Sequence, residues 1–508
     1  MSDKFINSAL ISVYHKTGLE EVIKRLDDLN IKIYSTGGTQ KYIEEQGVEV
    51  HTVENLTSYP SILGGRVKTL HPKIFGGILA RREQEHLTEL AEYDIPEIDL
   101  VIVDLYPFEE TLAHSDDESE IIEKIDIGGI SLIRAAAKNY MDIVVVPSKD
   151  QYSDLLDILN TKSGLTSLED RKRLASKAFA ISSNYDSSIF GFFNSVNEAD
   201  HLRISEDKAK TLRYGENPHQ KAIFYGDLDK QFEQLCGKEL SYNNLVDIDA
   251  AVEIIHEFEH NLPTFCILKH TNACGVATRE TVSDAWDAAL AGDPVSAFGG
   301  ILISNSEIDL STAEKIDTIF YEVLMAPSFT AEAYTLLSKK KKRVLLKLKD
   351  MSIPQERVKT ILNGYIWQQS DVIDHTDHDF KTVTKRQPTD REMQNITFAN
   401  KCVKNLKSNT IVLVRDNQLL GMGCGQTSRV DACKQAIDKA IRMGFILDGA
   451  TMASDAFFPF PDCVELAHNA GVTTVVQPGG SIKDQLSIDV CDASDMTMVF
   501  SGIRHFKH

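Results

Sequence analysis

The first 150 residues alternate between short apolar runs and segments whose apolar residues recur at helical spacing. Residues 9–13 and 100–103 are continuous β-rich runs, which are typical of buried strands. Residues 19–29 have helical spacing, 31–34 alternate like another strand, and 143–146 form a further apolar run. Strands that alternate with helices predict a parallel, Rossmann-type sheet, and therefore an α/β fold with an N-terminal domain over 1–150.

The remaining chain separates into a helical stretch and a second α/β region. Residues 151–200 have mainly helical patterns and are predicted to connect the domain over 1–150 to one over 201–508. Within 201–508, a strand, a Cys-Gly elbow, an Ala-rich helix and an Ala-Phe pair occur twice. This pattern predicts two similar lobes split near residue 380, although chance remains an alternative explanation.

Near the middle of the chain, four apolar residues lead directly into two ionisable side chains. Residues 265–268 have the pattern of a buried strand, and Lys269 and His270 follow at its expected exit. Ligands of open α/β sheets bind outside the carboxyl ends of strands. A Lys-His pair in that position has the chemistry to transfer a proton and to stabilise developing negative charge.

Composition narrows the possible partners. The 508 residues include 54 Lys and Arg against 75 Asp and Glu, for a formal net charge of −21. Such a balance argues against nucleic acid and anionic membranes as partners, while an anionic small ligand remains compatible with a local basic pocket. The eight cysteines include no Cys-x-x-Cys pair, and no apolar run approaches the length of a membrane span. These features predict a cytoplasmic protein.

Two glycine- or cation-bearing loops in the first domain are candidate phosphate sites. Residues 35–39 read Ser-Thr-Gly-Gly-Thr between a predicted strand and a predicted helix, where backbone N–H groups favour an anion. A plain turn explains this loop equally well. Arg66 and Lys68 are separated by one residue, so an extended segment directs both to one side, beside Thr69. The alternative is a solvated basic loop.

Three more motifs are ambiguous when taken singly. Asp104 and Tyr106 directly follow a predicted strand. Asp126 precedes a helix, where it has the chemistry of an N-cap as well as of a catalytic acid. Arg134 and Lys138 lie four residues apart on one helix face, a pattern also expected from cations at a helix C-terminus.

Together these motifs resemble the IMP cyclohydrolase half of the bifunctional AICAR transformylase/IMP cyclohydrolase family, which has a methylglyoxal-synthase-like fold. The resemblance implies ring closure of formyl-AICAR with loss of water, aided by Lys and Tyr groups of lowered pKa and with Lys138 as proton donor and acceptor. It implies the reacting groups Lys68, Tyr106, Asp126 and Lys138, and substrate contacts from Lys16, Thr36, Gly37, Gly38, Thr39, Arg66, Val67, Thr69 and Ile127. This chain departs from the family pattern at Tyr14, His15 and Asp104.

Four motifs in the second region are equally ambiguous alone. Residues 212–220 form a polar, turn-rich stretch that contains Arg213. Residues 421–429 are Gly-rich and end in Arg429, a pattern compatible with a ligand-binding loop or with an ordinary turn. Residues 455–462 combine aromatic side chains with two carboxylates. This pattern is compatible with core packing and with a binding pocket for a heterocycle. The basic run 339–343 is interpreted as a solvated turn rather than a nucleic-acid patch.

With Lys269 and His270, the first three of these motifs resemble the transformylase half of the same family, which has two cytidine-deaminase-like lobes. The resemblance implies formyl transfer from 10-formyltetrahydrofolate to AICAR, with His270 as base and Lys269 as oxyanion stabiliser or acid. It implies AICAR contacts at Arg213, Tyr214, His270, Phe298, Glu322, Asn409, Arg429 and Arg504, and folate contacts at Val430, Phe457, Asp462, Ser481 and Ile482. The family is homodimeric, with transformylase sites between subunits.

Two other functions compete with this hypothesis. A zinc deaminase requires His-x-Glu with Pro-Cys-x-x-Cys, and the sequence lacks this signature, so no catalytic metal is expected. A non-catalytic sensor of purine nucleotides or folate would retain the pockets without the reacting groups. Lys68, Lys138 and the Lys269–His270 pair favour the enzyme.

Overall fold

The chain forms two compact units in a computed structural model that describes residues 3–63, 66–194, 201–374 and 380–508. The first unit comprises Met1–Asp207 and the second Lys208–His508. No helix in these described ranges is both long and apolar enough to cross a membrane.

The first unit is built on a parallel sheet with the order β4-β3-β2-β5-β6, and β1 pairs separately with β7. Its strands are β1 Lys4–Phe5, β2 Ser8–Ser12, β3 Lys32–Ser35, β4 His51–Thr52, β5 Leu100–Val103, β6 Val144–Val146 and β7 Leu165–Thr166. Its helices are α1 Leu19–Asp28, α2 Gly37–Glu45, α3 Val53–Thr57, α4 Pro72–Leu79, α5 Gln84–Glu92, α6 Phe108–His114, α7 Glu118–Glu123, α8 Gly128–Lys138, α9 Tyr152–Thr161 and α10 Leu168–Asn194.

This architecture confirms the predicted parallel α/β fold. Strand β5 has no polar residue and is completely buried, because helices cover both faces of the sheet. The amphipathic helix α1 buries Leu19, Val22, Ile23 and Leu26 against the sheet. Helix α10, within the stretch predicted as helical, packs on α8 and β6 of the same unit.

The second unit contains a sheet of twelve strands among its described residues, with two separate strand pairs, β8–β9 and β16–β17. Its strands are β8 Ala209–Thr211, β9 Ile223–Tyr225, β10 Phe232–Cys236, β11 Thr264–Lys269, β12 Asn272–Thr278, β13 Ile301–Ser304, β14 Val323–Ala326, β15 Val344–Leu348, β16 Glu356–Ile361, β17 Gly364–Gln369, β18 Lys381–Thr382, β19 Ile411–Arg415, β20 Gln418–Gly423, β21 Ala450–Ser454, β22 Val472–Gln477 and β23 Thr497–Phe500. Its helices are α11 Leu228–Gln231, α12 Tyr242–His256, α13 Val282–Gly292, α14 Leu310–Ile316, α15 Ala331–Leu337, α16 Asp390–Lys404, α17 Arg429–Arg442, α18 Asp462–Asn469 and α19 Asp484–Ala493.

The large sheet repeats one topology twice. Its order is β10-β15-β14-β13-β11-β12-β20-β19-β21-β22-β23-β18, so each half has the same connections when followed from the centre outwards. The two halves meet where β12 pairs with β20 in antiparallel register, Ala277 opposite Gln418. Each half also has a 15-residue helix with a capping box, α12 in one and α16 in the other.

The repeated glycines have a role different from the predicted elbow. Gly275 lies inside β12, and a Cβ there would stand 1.7 Å from the carbonyl oxygen of Ala289 on α13. Gly421 occupies the equivalent position of β20, where a Cβ would stand 2.3 Å from the carbonyl oxygen of Ala436 on α17. The glycines allow a helix to approach the strand closely, and the equivalent pair is Gly275 and Gly421 rather than the two Cys-Gly sequences.

The basic run 339–343 is also more structured than predicted. Arg343 is only 4% exposed, pairs with Asp317 at 2.6 Å and lies over the ring of Tyr321. Lys340 pairs with the same carboxylate at 3.0 Å. The interpretation as a solvated turn is therefore wrong for Arg343, whose charge anchors the entry into β15.

Candidate active sites

The first unit has a cavity of about 520 Å³ at the carboxyl ends of β2, β3 and β5. The N-termini of α2 and α8 also border it. Ten of the residues predicted for this domain line the cavity, namely Lys16, Thr36, Gly38, Thr39, Arg66, Lys68, Thr69, Tyr106, Asp126 and Ile127. The positive ends of two helix dipoles and several cations make this cavity suitable for an anionic ligand.

Lys68 lies directly over the start of α2. Gly37 has φ of 57°, and a Cβ there would stand 3.2 Å from the Lys68 ammonium nitrogen. The glycine thus provides both a left-handed backbone and room for the lysine. The predicted glycine loop and the predicted cation loop therefore meet at one point, although Gly64 and Gly65 of the second loop lie outside the described residues.

Asp126 is held at the entrance of α8. Its Oδ1 accepts a hydrogen bond from the Gly129 N–H at 2.6 Å, and a Cβ at Gly129 would stand 2.4 Å from Oδ2. Tyr185 donates to the carbonyl of Lys124 and accepts from the Asp126 N–H at 2.9 Å, which fixes the backbone. Burial raises the pKa of the Asp126 carboxyl above its ordinary value. Asp126 therefore has a capping role and is also a buried acid that lines the cavity.

Tyr106 does not fulfil the condition of a lowered pKa. Burial raises the pKa of its hydroxyl, and the nearby carboxylates of Asp126 and Glu123 raise it further. Its hydroxyl consequently stays protonated at neutral pH, with an O–H group available as a hydrogen-bond donor.

Several predicted phosphate ligands already have partners within the unit. Thr39 donates to the carbonyl of Val13 at 2.9 Å and also accepts from its N–H. Thr36 donates to Glu54 at 2.7 Å. These hydroxyls thus hold the loops together as well as lining the cavity.

The cations Lys16 and Arg66 are similarly engaged. Lys16 donates to the carbonyls of Val13 and Tyr14, and burial lowers the pKa of its ammonium group. Arg66 forms an exposed ion pair with Glu123 on α7. Sequence analysis missed Glu123, for which the only signal was its position just before the segment that contains Asp126.

Asp104, where the chain departs from its family pattern, ties two loops together. Its carboxylate accepts from the backbone N–H groups of Tyr14 and His15, the latter at 2.9 Å, and contacts the His15 ring at 3.0 Å. The loop after β5 therefore holds the loop after β2, which carries Lys16. A second cavity of about 490 Å³, lined by His15 and Pro147 among others, shares the wall formed by Asp104 and Tyr106.

Three predicted residues, Gly37, Val67 and Lys138, are absent from the lining of the first cavity. Lys138 is the last residue of α8 and is exposed, about 15 Å along the helix axis from Gly128 at the cavity. Val67 forms an isolated bridge with Ile62. The structure therefore brings Lys68, Tyr106 and Asp126 together but leaves Lys138 apart.

In the second unit, Lys269 and His270 lie on a tight β-hairpin. Lys269 pairs with Asn272 in the β11–β12 register, and His270 and Thr271 form the turn with φ of 53° and 62°. Positive φ at both central residues is the geometry of a type I′ turn, which normally favours Asn and Gly. The predicted strand does end at this point, but it turns directly into the antiparallel strand β12 instead of leaving the sheet. Strained residues of this kind cluster at functional sites.

Two neighbouring segments form hydrogen bonds with the residues around the turn of this hairpin. The Lys269 ammonium donates to the carbonyl of Phe298 at 2.8 Å. Asp247 on α12 accepts from the Thr271 N–H at 2.8 Å, and burial raises the pKa of its carboxyl. Asp247 was missed by sequence analysis because nothing in the helix pattern distinguishes it from a surface acid.

The other predicted residues of this unit lie along the same edge of the sheet as the hairpin. Strands β13 and β14 begin at this edge, and β21, β22 and β23 end there, as their registers with β11 and β19 require. The segments at this edge carry Phe298, Glu322, Asn409, Arg429, Phe457, Ser481 and Arg504. From β14 to β23 there are eight strand steps, or about 38 Å along the edge.

Arg429 is part of a buried ion pair. Its Nη2 lies 2.8 Å from Oδ1 of Asp455, a residue with no exposed surface, and its Nη1 lies 3.4 Å from the Phe457 carbonyl. Nε of Arg429 and Oδ2 of Asp455 are buried without hydrogen-bond partners. Asn409 donates to the carbonyl of Gln426 at 2.9 Å, beside the same loop. The pair fixes the start of α17 against the end of β21.

Three further predicted AICAR contacts are partly engaged. Glu322 forms an ion pair with Lys238, a cation that sequence analysis did not single out. Arg213 stacks on Tyr214 with 4.5 Å between the guanidinium and the ring centre. Arg504 stacks on Phe506 at the same distance.

The predicted folate residues form the surface between α17 and the loop before α19. Phe457 is partly exposed and Ile482 fully exposed, while Val430 is half-buried at the start of α17. Asp462, the first residue of α18, accepts from the Cys463 N–H at 2.8 Å. The Ser481 N–H donates to Asp484 at 2.9 Å. Exposed apolar side chains beside a carboxylate suit an aromatic ligand with an amide edge.

Among the described residues, no group of three or more His, Cys, Asp or Glu side chains is arranged to hold a metal ion.

Comparison with known proteins identifies the family. Residues 136–439 match the AICARFT/IMPCHase bienzyme family and residues 18–131 the MGS-like domain. A bifunctional purine biosynthesis protein PurH from Bacteroides thetaiotaomicron is 57% identical over 99% of both chains. Proteins of the same name from Acetivibrio thermocellus and Bacillus subtilis are 46% and 44% identical, each over 99% of this chain and 100% of the relative. The chain therefore belongs to the AICARFT/IMPCHase bienzyme family.

Proposed function

We propose that the second unit transfers a formyl group to AICAR and that the cavity of the first unit closes the formylated product to IMP. As a member of its family, the chain is a bifunctional AICAR transformylase and IMP cyclohydrolase that acts in the last steps of purine biosynthesis. The observation that carries the assignment of sites is that each unit has its own cluster of reacting groups. Lys68, Tyr106 and Asp126 share one cavity, and His270 occupies a strained turn.

Formyl transfer begins with a weak nucleophile, because the imidazole and carboxamide of AICAR withdraw electrons from its 5-amine. We assign His270 as the base that takes the amine proton as nitrogen attacks the formyl carbon. Lys269 stabilises the tetrahedral oxyanion or protonates the departing N10 when the N10–carbon bond breaks. General acid–base help of this kind is worth ~10²–10⁴ in rate.

Ring closure requires the carboxamide nitrogen to attack the formyl carbon and the formyl oxygen to leave as water. Lys68 lies where it can stabilise the oxyanion, and its position over Gly37 supports this role. The raised pKa of Tyr106 keeps its hydroxyl protonated, so we assign it as the hydrogen-bond donor to the departing oxygen. Asp126, Lys16, Ile127 and the loops at 36–39 and 66–69 orient the base and ribose phosphate.

The formyl donor is a folate, as the family name implies, and we propose 10-formyltetrahydrofolate. Phe457 and Ile482 provide apolar surface for the pterin and its linker, while Val430 lies beside them. Asp462 recognises the amide edge, and Ser481 supplies a polar contact. We assign AICAR to Arg213, Tyr214, Phe298, Glu322, Asn409, Arg429 and Arg504, and we expect no catalytic metal.

We propose a homodimer because two of the residues assigned to AICAR lie far apart along this edge. The strands beside Glu322 and Arg504, β14 and β23, are about 38 Å apart in the sheet order, a distance that a single nucleotide does not span. Both residues contact one AICAR molecule only where a second copy brings its own edge alongside. We therefore propose that each transformylase site is shared between two subunits.

The β16–β17 hairpin is the surface we propose for this contact. Pairing of Val358 with Trp367 and of Thr360 with Tyr365 places these four side chains on one face, defined here as the arm face. All four are exposed, and the face has no charge except Glu356 at its end. Arg357 on the opposite face pairs with Asp249 and Glu253 of α12.

The chemistry of the arm face fits a second copy of this chain. An isolated two-stranded hairpin is marginally stable in water, so it gains from being covered. Exposed Tyr and Trp are the side chains most enriched at interface hot spots.

Sedimentation of two matched variants tests the dimer. Thr360→Glu adds a carboxylate to the arm face, and Gln368→Glu adds one to the opposite face of the same hairpin. We expect Thr360→Glu alone to raise the dimer dissociation constant by tenfold or more and to reduce formyl transfer in proportion, with ring closure unchanged. A dimer that is equally stable in both variants, or a monomeric wild type with full transformylase activity, contradicts the proposal.

The function itself is tested by supplying the pure protein with AICAR and 10-formyltetrahydrofolate and measuring IMP. His270→Ala should abolish formyl transfer but still cyclise added formyl-AICAR, and Lys68→Ala should show the reverse. No IMP from the wild type would support a non-catalytic sensor instead. Loss of both activities in either folded variant would overturn the separation of sites.

A further inference from the structure

The two halves of the large sheet provide an internal comparison for the His270 hairpin. The turn His270–Thr271 of the first half corresponds to Asp416–Asn417 of the second, and all four residues have φ between 51° and 62°. The turn geometry is therefore a property of the fold. The two halves differ in the side chains that this turn carries.

Each hairpin is held by a side chain from the same helix position. Asp247, the sixth residue of α12, accepts from the Thr271 N–H at 2.8 Å. Asn395, the sixth residue of α16, accepts from the Asn417 N–H at 3.2 Å. A neutral amide oxygen is thus sufficient to hold this turn. The negative charge of Asp247, in the half that carries His270, is therefore not needed for the fold.

We propose that Asp247 is a positioning residue for formyl transfer, which holds the hairpin and supplies the negative charge that stabilises the imidazolium formed when His270 takes the amine proton. This inference rests on the proposed role of His270 as base. A buried carboxylate near a histidine favours its charged form without itself accepting the proton. In the second half, no histidine occupies the turn, and the amide at position 395 carries no charge.

Other charged groups around His270 do not replace this charge. Lys269 is its neighbour on β11 and points to the Phe298 carbonyl, so it adds positive charge to the turn. Directly after the neighbouring strand β20, the Cys424 thiol donates to Asn272 at 3.3 Å, and burial raises the pKa of this thiol. Asp247 is thus the carboxylate in direct contact with the turn.

The internal repeat also supplies the test. Asp247→Asn installs the side chain of the other half, retains an acceptor for the Thr271 N–H and removes only the charge. We expect kcat for formyl transfer to fall about tenfold or more. The acid limb of its pH–rate profile should move to lower pH, because His270 then loses its proton more easily. The reciprocal Asn395→Asp should leave both properties unchanged.

Asp247→Ala, which removes acceptor and charge together, should cost more than Asp247→Asn and should lower Tm. A purely structural role predicts that Asp247→Asn matches the wild type in kcat and in the pH profile, and that outcome overturns the proposal. Failure of the proposed function is seen separately, as formyl transfer that survives His270→Ala.

Discussion

Lys269 and Arg415 occupy equivalent ends of β11 and β19, and both donate to a backbone carbonyl just before the neighbouring strand. Lys269 reaches Phe298 at 2.8 Å, and Arg415 reaches Asp448 at 2.9 Å. One cation at this position is therefore structural in both halves. Any chemical role of Lys269 must depend on what distinguishes lysine from arginine.

Lys269→Arg separates the two roles. We expect this variant to retain the wild-type Tm, because the guanidinium replaces the hydrogen bond as Arg415 does. Formyl transfer should fall by ~10² or more, since arginine does not release a proton to the departing N10. Near-wild-type turnover would show that Lys269 acts through charge and position alone. Lys269→Ala should lose both activity and stability.

Lys68→Ala and Lys138→Ala test which lysine serves ring closure. With Lys68 in the cavity and Lys138 at the other end of α8, about 15 Å along the axis from Gly128, we expect Lys68→Ala to lower kcat by ~10²–10⁴. Lys138→Ala should lower it less than tenfold. An equal loss in both would restore the role suggested by sequence and require Lys138 to reach the site from a second copy. Cyclisation of added formyl-AICAR is the measurement.

Asp104→Asn should weaken the hold on the loop that carries Lys16. The carboxylate accepts two backbone N–H groups through both oxygens, whereas an amide has a single acceptor oxygen. An unpaired N–H costs ~1–3 kcal/mol. We expect KM for formyl-AICAR to rise about tenfold with formyl transfer unaffected as the internal control. An unchanged KM would mean that this loop does not position the substrate.

Asp126→Asn should alter the pH dependence of stability. Burial raises the pKa of Asp126 in the folded state, so its contribution is fully present below the unfolded pKa and is lost as pH rises through the folded value. Asparagine retains an acceptor for Gly129 and cannot ionise. We expect the variant to be more stable above pH 7, with ~1 kcal/mol corresponding to about 2–4 °C in Tm, and to lose ring closure.

Scanning calorimetry of both proteins at pH 4 and pH 8 measures this difference. The advantage of the variant should shrink at the lower pH. A variant that is less stable at pH 8 would show that the ionised carboxylate stabilises the start of α8.

The sequence was sufficient to predict the parallel sheet, because continuous apolar strands and helical spacing in 9–146 follow directly from burial. Most residues of the first cavity were predicted through the family resemblance, and the carboxyl ends of parallel strands bring them to one edge. The sequence did not reveal that β11 and β12 form a hairpin. A turn of two ordinary residues, His270 and Thr271, has none of the Asn-Gly composition by which such turns are recognised.

Contacts between distant segments could not be predicted from the sequence, for a different reason. Asp247 and Glu123 lie on helices whose patterns are set by their buried faces, and a carboxylate on the other face looks the same whether solvent or a loop lies opposite. The raised pKa of Tyr106 arises from burial and from carboxylates that only folding brings near it. Such contacts can be identified only in the folded structure.

The chain contains two tryptophans, and the fold gives them opposite surroundings. Trp286 is buried in the core of the second unit, while Trp367 on the arm face is 51% exposed. Intrinsic fluorescence therefore has a component from Trp286 that should stay constant and one from Trp367 that should respond to the proposed dimer contact. Dilution through the dimer dissociation constant should move the emission to longer wavelength and increase quenching by iodide, so the native protein reports its own assembly without a label.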